Sequence, residues 1–534
     1  MSVPDDNRRG FSLEKEERVG TGAKWGGVRL SCAREIRRPS PSPRAGADAG
    51  PDYDMKRHIF SLLSAAMSAS SSGVGVARPA APCSRHAGEG GVPGLQQEIE
   101  TAMVEQAPRT RVEGRPSVLL FSAGFYGTLA AARCFGRNGI DVTVADPGKL
   151  GPASWSRYVG RRVQCPPESQ PEAFVAWLMD LGRREPLQHV LYPTSDELAW
   201  LVSLHREELS RYFHLYDPGI DAVYGLLNKR KLHEAGQAVG LKLPRTWFPE
   251  SEADLDAVAR EARFPVLIKP TTQILYSTHR KGQPVQAPGQ LAEEYRAFSR
   301  DGYAPMLVRF DAAVSRPMVQ EFHPEAAEGI YSLSGFVDAS GELFEVRGAM
   351  KVLQRPRRLG VGVCFESAPV REELAAGLQR LCKHLGYHGV FEVEFIQTRD
   401  DFLLIDFNPR YYGQMGFDIA RGLPLPLLAY HAALGDTDAL RRELKAARDW
   451  RGNGEVFCNR IALEMLLNLQ RLSGALPVDE ARQWRRWLGE HRDTAVDPLI
   501  DSDDLMPTAV EVAQILYGSA RHPRAFIRMM VLNR

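Results

Sequence analysis

Phe391-Glu392-Val393-Glu394-Phe395-Ile396 and Phe402-Leu403-Leu404-Ile405-Asp406-Phe407-Asn408, running on into Pro409-Arg410-Tyr411-Tyr412-Gly413-Gln414-Met415-Gly416, decide how this chain folds and where its chemistry sits. The first two runs alternate apolar and polar residues, the period-two signature of a strand with one buried face. The polar turn Gln397–Asp401 joins them as a hairpin. Phe391, Val393 and Phe395 then point to a core, as do Ile405 and Phe407 from the second strand. Glu392, Glu394, Asp406 and Asn408 share the opposite face. Carboxylates so close repel one another and rise in pKa unless a cation neutralises them. Oxygen ligands of this kind select a hard divalent ion, and Mg²⁺ keeps positions open for phosphate oxygens. A charged hairpin face alone is an ordinary solvent face. Arg410 lifts it above that, because it sets a fixed cation beside the acids, suited to a transferring phosphoryl group.

Two lysines lie upstream. Lys229 opens a helix in Leu227-Asn228-Lys229, where the helix macrodipole disfavours a cation, so it reads either as facing a nearby anion or as a solvated lysine. Lys269 ends the apolar strand Pro265-Val266-Leu267-Ile268-Lys269-Pro270; a lysine leaving a buried strand end reads as functional ahead of the alternative, a stem lying along apolar surface with its amine in water. Val319-Gln320-Glu321-Phe322 is an apolar strand ending in an amide and an acid. As a link between two lobes, its backbone would pair with an adenine edge while Glu321 accepts from polar groups of a nucleotide.

Outward from this centre the chain of 534 residues has room for about three domains. Residues 1–113 are rich in Arg, Ser, Pro, Gly and Ala without apolar periodicity, and are expected to be disordered. Met55–Ala66 imitates a signal peptide, but its apolar run is short, diluted by serines and internal, so export is not expected. Met103 is a candidate natural start. Ser117–Phe121, the turn Ser122–Gly127, the helix Leu129–Phe135 and the strand Ile140–Asp146 make a βαβ opening of an α/β sheet over 114–222. A dinucleotide site there lacks the third glycine of GxGxxG, and Asp146 alone keeps that idea alive. An α+β pattern covers 223–434, with a long polar loop over 271–288. Helices follow over 435–534, among them Cys458–Leu472 and Thr508–Leu516. Ala520–Met530 is basic and apolar, and reads as a helix capping the preceding domain or as an anionic-membrane contact.

Lys and Arg total 67 against 66 Asp and Glu, so no global field argues for a nucleic acid. No apolar stretch reaches the length of a membrane span. Seven cysteines without a pairing rhythm suit a reducing, cytoplasmic setting.

In order and spacing, Lys229, Lys269, Gln320-Glu321, Phe391–Phe395 and Leu404-Ile405-Asp406-Phe407-Asn408-Pro409-Arg410 resemble the ATP-grasp superfamily, of the carbamoyl-phosphate-synthetase-like or carboxylate–amine ligase type. Pro152–Val159 and Leu191–Glu197 are similar to the pre-ATP-grasp domain that precedes such units. The resemblance implies a pre-ATP-grasp open α/β domain, a two-lobed ATP-grasp domain and a helical C-terminal extension. It implies that Lys229 and Lys269 bind ATP phosphates and that Gln320 and Glu321 lie in the adenine hinge. Glu394, Asp406 and Asn408 would hold Mg²⁺ or Mn²⁺, with Asp406 bridging, and Arg410 would neutralise the γ-phosphate or acyl phosphate. Glu392 and Glu394 remain alternatives for one ligand position, since a tight hairpin would bring Glu392 nearer Asp406.

Two features depart from the family. It usually has Glu where Asp406 stands. Its phosphate-covering loop is commonly glycine-rich, whereas Thr271–Lys281 has no glycine and carries His279-Arg280-Lys281. Arg355, Arg357 and Arg358 read either as a solvated basic loop or as cations on the substrate side. The implied activity is Mg-ATP-dependent ligation of a small carboxylate to an amine, in a chain free to form a homo-oligomer. The alternatives are a non-catalytic ATP-binding module and, further off, an NAD(P) oxidoreductase.

Overall fold

A computed structural model describes residues 114–148, 151–278, 280–355, 361–452, 454–474 and 476–527. The expected disorder over 1–113 lies outside the described residues, as do His279, the side chains of Arg355, Arg357 and Arg358, and Arg528–Met530.

Strands β1 (Ser117–Phe121) and β2 (Val142–Asp146) are nearly all buried, as befits parallel strands covered on both faces. With β3 (Val159–Gln164), β4 (His189–Leu191) and β5 (His214–Leu215) they form a parallel sheet in the order β3-β2-β1-β4-β5. Strand β3 is an edge that exposes Arg161 and Arg162, so it carries no apolar pattern. The order reverses between β1 and β4, and the turns after these two strands leave the sheet at that switch point, where open α/β sheets bind ligands.

The second sheet, antiparallel, comprises β6 (Thr246–Trp247), β7 (Val266–Lys269), β8 (Gln283–Val285) and β9 (Met318–Glu321) in the order β6-β9-β7-β8. Leu255 and Val258 of the helix Glu252–Glu261, and Leu291 and Phe298 of the helix Leu291–Phe298, pack on its Val266, Ile268 and Val319. The polar stretch expected to be all loop over 271–288 contains β8. As an edge strand, β8 tolerates Pro284.

The third sheet carries β10 (Ile330–Val337), β11 (Phe344–Arg355), β12 (Val361–Ala368), β13 (Gly389–Gln397), β14 (Phe402–Asn408), β15 (Val456–Cys458) and β16 (Ala495–Val496). Its order is β14-β13-β10-β11-β12-β15-β16, antiparallel except for the last pair. One face buries Leu333, Phe391, Val393, Phe395 and Phe407 against Leu378, Leu381 and Cys382 of the helix Glu372–Leu385. Each such side chain contributes about 1.5–3 kcal/mol by leaving water. Ile405 does not join that face as the alternation predicts. A bulge sets Glu394 opposite Asp406 and Phe395 opposite Leu404, so Ile405 is the extra residue and Leu404 takes the core position.

The C-terminal region is mainly helical, yet it lends two strands to this sheet. Cys458 ends β15 instead of opening the expected helix. The helix starts at Arg460, where the Asn459 side chain caps it by accepting from the Ala462 N–H. The expected helix near Thr508 runs over Met506–Arg521. Ahead of it, Asp504 accepts from buried Arg133 at 2.9 Å and Ser156 at 2.7 Å, tying this segment to the first sheet's domain. No helix among the described residues is long and apolar enough to cross a membrane.

Candidate active site

The polar face of the third sheet gathers the predicted acids. Glu394 lies opposite Asp406 and Glu392 opposite Asn408, with Ser332 and Ser334 of β10 alongside. The two glutamates sit in different surroundings. Glu392 is buried and accepts from Asn408 Nδ2 at 2.7 Å and Gln414 Nε2 at 3.1 Å. Burial, with Glu394 adding repulsion, pushes its carboxyl up to about 7. Glu394 keeps some exposure and pairs with Lys351. The bulge, not a tight register, thus brings Glu394 rather than Glu392 beside Asp406.

Among the described residues no three His, Cys, Asp or Glu side chains close around a metal position. Two carboxylates and an amide oxygen nonetheless fit a hard cation that takes its other ligands from water and phosphate, as Mg²⁺ does.

Cations surround these acids. Lys229 heads the helix Lys229–Ala238, and its Nζ lies 2.6 Å from Asp406 Oδ1. The nearby anion at this helix start is therefore Asp406. Burial opposes the Asp406 charge, but Lys229, then Lys269 and Lys281, more than reverse that and hold the carboxyl at about 2. Two-fifths of the Asp406 side chain still meets solvent, at 42%. Lys269 Nζ donates to Gln320 Oε1 at 3.3 Å, and burial with Lys229 nearby pulls this amine down to about 8.

Sequence reading missed Lys351. It stands on β11 among apolar residues, and strand alternation was the available signal, as for Lys269. Burial works against its charge; Glu394, with Glu392 and Asp406 behind it, prevails and keeps the amine above the usual lysine range.

β9 is a central strand, and the Glu321 N–H at its end donates to Arg245 O at 2.9 Å, so this donor is already used. The Gln320 amide donates to Thr246 Oγ1 at 3.1 Å. Glu321 lines a cleft of about 480 Å³ with Leu243, Pro244, His323 and Leu403.

Arg410 does more than flank the acids. Its Nη2 donates to Asn408 Oδ1 at 2.9 Å and its Nη1 to Tyr411 O at 2.9 Å, while Nε reaches Asp196 Oδ1 at 2.5 Å. Asp196 opens the helix Asp196–Leu204 after β4, so this cation joins the acid face to the first domain. The glycine-free loop is also held there. Ile274 and Leu275 sit in an apolar cluster with Trp200, Tyr224 and Leu227, and the Leu275 N–H donates to Glu197 Oε1 at 3.3 Å. Asp146, the remaining support for a dinucleotide site, accepts instead from the backbone N–H groups of Ala123 and Gly148, at 2.6 and 2.7 Å.

No protein-family model matches the chain. It is 22% identical over 289 residues to a D-aspartate ligase of Enterococcus faecium (strain Aus0004), covering 52% of this chain and 67% of that protein. Among solved structures, the biotin carboxylase domain of Hydrogenobacter thermophilus 2-oxoglutarate carboxylase aligns at 14% identity and TM-score 0.47, over 60% of this chain and 70% of that one. N5-carboxyaminoimidazole synthetase of Staphylococcus aureus aligns at 14% and 0.45, over 61% and 80%. An L-amino acid ligase of Bacillus licheniformis aligns at 17% and 0.42, over 60% and 74%. An open parallel sheet thus leads into two mainly antiparallel sheets, with Asp406-Phe407-Asn408-Pro409-Arg410 beside Lys229 and Lys269, the arrangement that the resemblance to the ATP-grasp superfamily implies.

Proposed function

We propose that this chain is an ATP-dependent ligase that activates a small carboxylate as an acyl phosphate and joins it to an amine, releasing ADP and phosphate. The observation that carries this reading is the meeting of Lys229, Lys269, Lys351 and Arg410 around Glu394, Asp406 and Asn408. Such a site suits a reaction run by positioning and charge neutralisation.

In this reading a substrate carboxylate oxygen attacks the γ-phosphorus of ATP, the bond to the β,γ-bridging oxygen breaks, and ADP leaves. The amine then attacks the acyl carbon, phosphate departs, and the amine proton passes to solvent or a nearby carboxylate. Lys229 and Lys269 hold the phosphates. Glu394, Asp406 and Asn408 would hold Mg²⁺, which when bound supplies positive charge to the phosphate oxygens. Arg410 neutralises the transferring group, and Lys351 keeps the Glu394 carboxylate in place. The cleft lined by Glu321 and Leu403 takes the base end of the nucleotide.

The test is ADP release with Mg-ATP across carboxylate and amine panels, starting with D- and L-aspartate because of the D-aspartate ligase similarity. Asp406→Asn and Lys269→Ala should each abolish turnover while far-ultraviolet circular dichroism stays unchanged. Undiminished ADP release in both variants defeats the proposal. Tight ATP binding with no turnover on any pair would favour a non-catalytic module.

A further inference from the structure

The first domain meets the proposed active face at the turn after β4 and, through the Phe125 ring 6.0 Å from the Arg410 guanidinium, at the turn after β1. Ser195 caps the helix Asp196–Leu204 by accepting from the Leu198 N–H, which places Asp196 and Glu197 side by side in the first helical turn. The two neighbours grip different parts of the ATP-grasp unit.

Asp196 Oδ1 receives Arg410 Nε at 2.5 Å, and both side chains are largely enclosed, 21% and 16% exposed. The same guanidinium gives Nη2 to Asn408 Oδ1 and Nη1 to Tyr411 O, each at 2.9 Å. A planar guanidinium held at three of its nitrogens has one orientation, and Asp196 supplies the only one of these three holds that comes from outside β14 and its continuation.

Glu197 holds a different segment. Its Oε1 accepts from the Leu275 N–H at 3.3 Å. Leu275 has φ of 48°, a left-handed backbone that a leucine adopts only where its surroundings enforce it. The enforcement is visible: Ile274 and Leu275 are buried in the first domain's apolar cluster, Ala304 N–H donates to Leu275 O, and Tyr303 Oη–H donates to Thr272 O. A covering loop rich in glycine closes by flexing. This one has no glycine and is held at Thr271, Thr272 and Leu275. The Lys229 N–H donates to Thr271 O at 2.8 Å, so the same segment meets the start of the Lys229 helix.

We infer that Asp196 and Glu197 are positioning residues through which the first domain sets the ATP-grasp site, Asp196 by orienting Arg410 and Glu197 by fixing the loop Thr271–Lys281. The inference rests on the ligase reading above. Asp196 acts through the Arg410 guanidinium it holds, so its effect belongs to the rate. Glu197 acts on the nucleotide cover, so its effect belongs to nucleotide affinity.

The experiment uses the full chain with Mg²⁺, a non-hydrolysable ATP analogue for binding, and the best carboxylate–amine pair for ADP release. Asp196→Ala should slow ADP release about tenfold to a hundredfold, with analogue affinity changed less than about twofold. In an Arg410→Ala background the same substitution should cost less than about a further twofold, since a residue that acts through another has nothing left to orient. Glu197→Ala should weaken analogue binding about tenfold, and Glu197→Gln, whose amide oxygen still accepts from Leu275, should recover most of it. Should Asp196→Ala fail to fold, Asp196→Asn, which keeps the shape and loses the charge, is expected to show the same split. Equal losses from Asp196→Ala in both backgrounds, or wild-type affinity in Glu197→Ala, overturn the inference alone. A wild-type chain that does not bind the analogue sinks the ATP reading, and the inference with it.

Discussion

Replacing Lys351 by methionine should cost the folded chain about 2–3 kcal/mol. The lysine side chain is 7% exposed and that of its partner Glu394 is 21% exposed. Breaking a fully buried pair by removing one partner costs about 3–5 kcal/mol, because the other charge stays behind uncompensated. Glu394 retains enough solvent to relieve part of that, which brings the figure down. Methionine fills nearly the same volume with a flexible apolar chain, so the packing loss is small. The assay is urea unfolding followed by circular dichroism at neutral pH. A second change isolates the cause: Glu394→Gln added to Lys351→Met removes the orphaned charge and should return stability to within about 1 kcal/mol of wild type. A single variant that loses less than about 1 kcal/mol, or a double variant no better than the single, would refute the argument that Lys351 is present to balance Glu394.

If Lys269 holds nucleotide phosphates as proposed, nucleotide binding should depend on pH. The Lys269 amine titrates at about 8, against 10.5 for an ordinary lysine, so the cation that phosphate needs is lost as pH rises through 8. Analogue affinity should fall by up to about tenfold between pH 7 and 9, with proton uptake on binding near pH 8 seen as a buffer-dependent calorimetric enthalpy. A flat profile contradicts this, and Lys269→Arg should flatten it by keeping the charge. Asp504→Ala removes the nearer of two carboxylates from buried Arg133, leaving Asp501 at 3.7 Å, and removes acceptors for Ser156 Oγ and the Arg157 N–H. A loss of about 3 kcal/mol and faster proteolytic cleavage near Asp497–Asp504 are expected; an unchanged cleavage pattern would mean that other contacts hold this segment.

Much of the site was legible because its parts are local. A strand repeats every two residues, so Glu392, Glu394, Asp406 and Asn408 are assigned to one face by counting alone. A lysine ending an apolar strand, as Lys269 does, or heading a helix against its dipole, as Lys229 does, conflicts with local preference and is visible for that reason. The same counting failed at Ile405, because a bulge inserts one residue without changing the sequence pattern on either side. It passed over β3 and β16 because short edge strands bear no apolar alternation.

The sequence by itself determined most core elements and which acids share a face, since each follows from periodicity within a dozen residues; the two lobes came from the resemblance. Tertiary structure alone decided the partners. Lys351 finds Glu394 across 43 residues of chain, and Arg410 finds Asp196 across 214. It also decided that a loop without glycine is anchored by Ile274 and Leu275 in the first domain. Pairings at such separations leave no periodic trace, because they depend on how whole sheets pack and not on the spacing of neighbours.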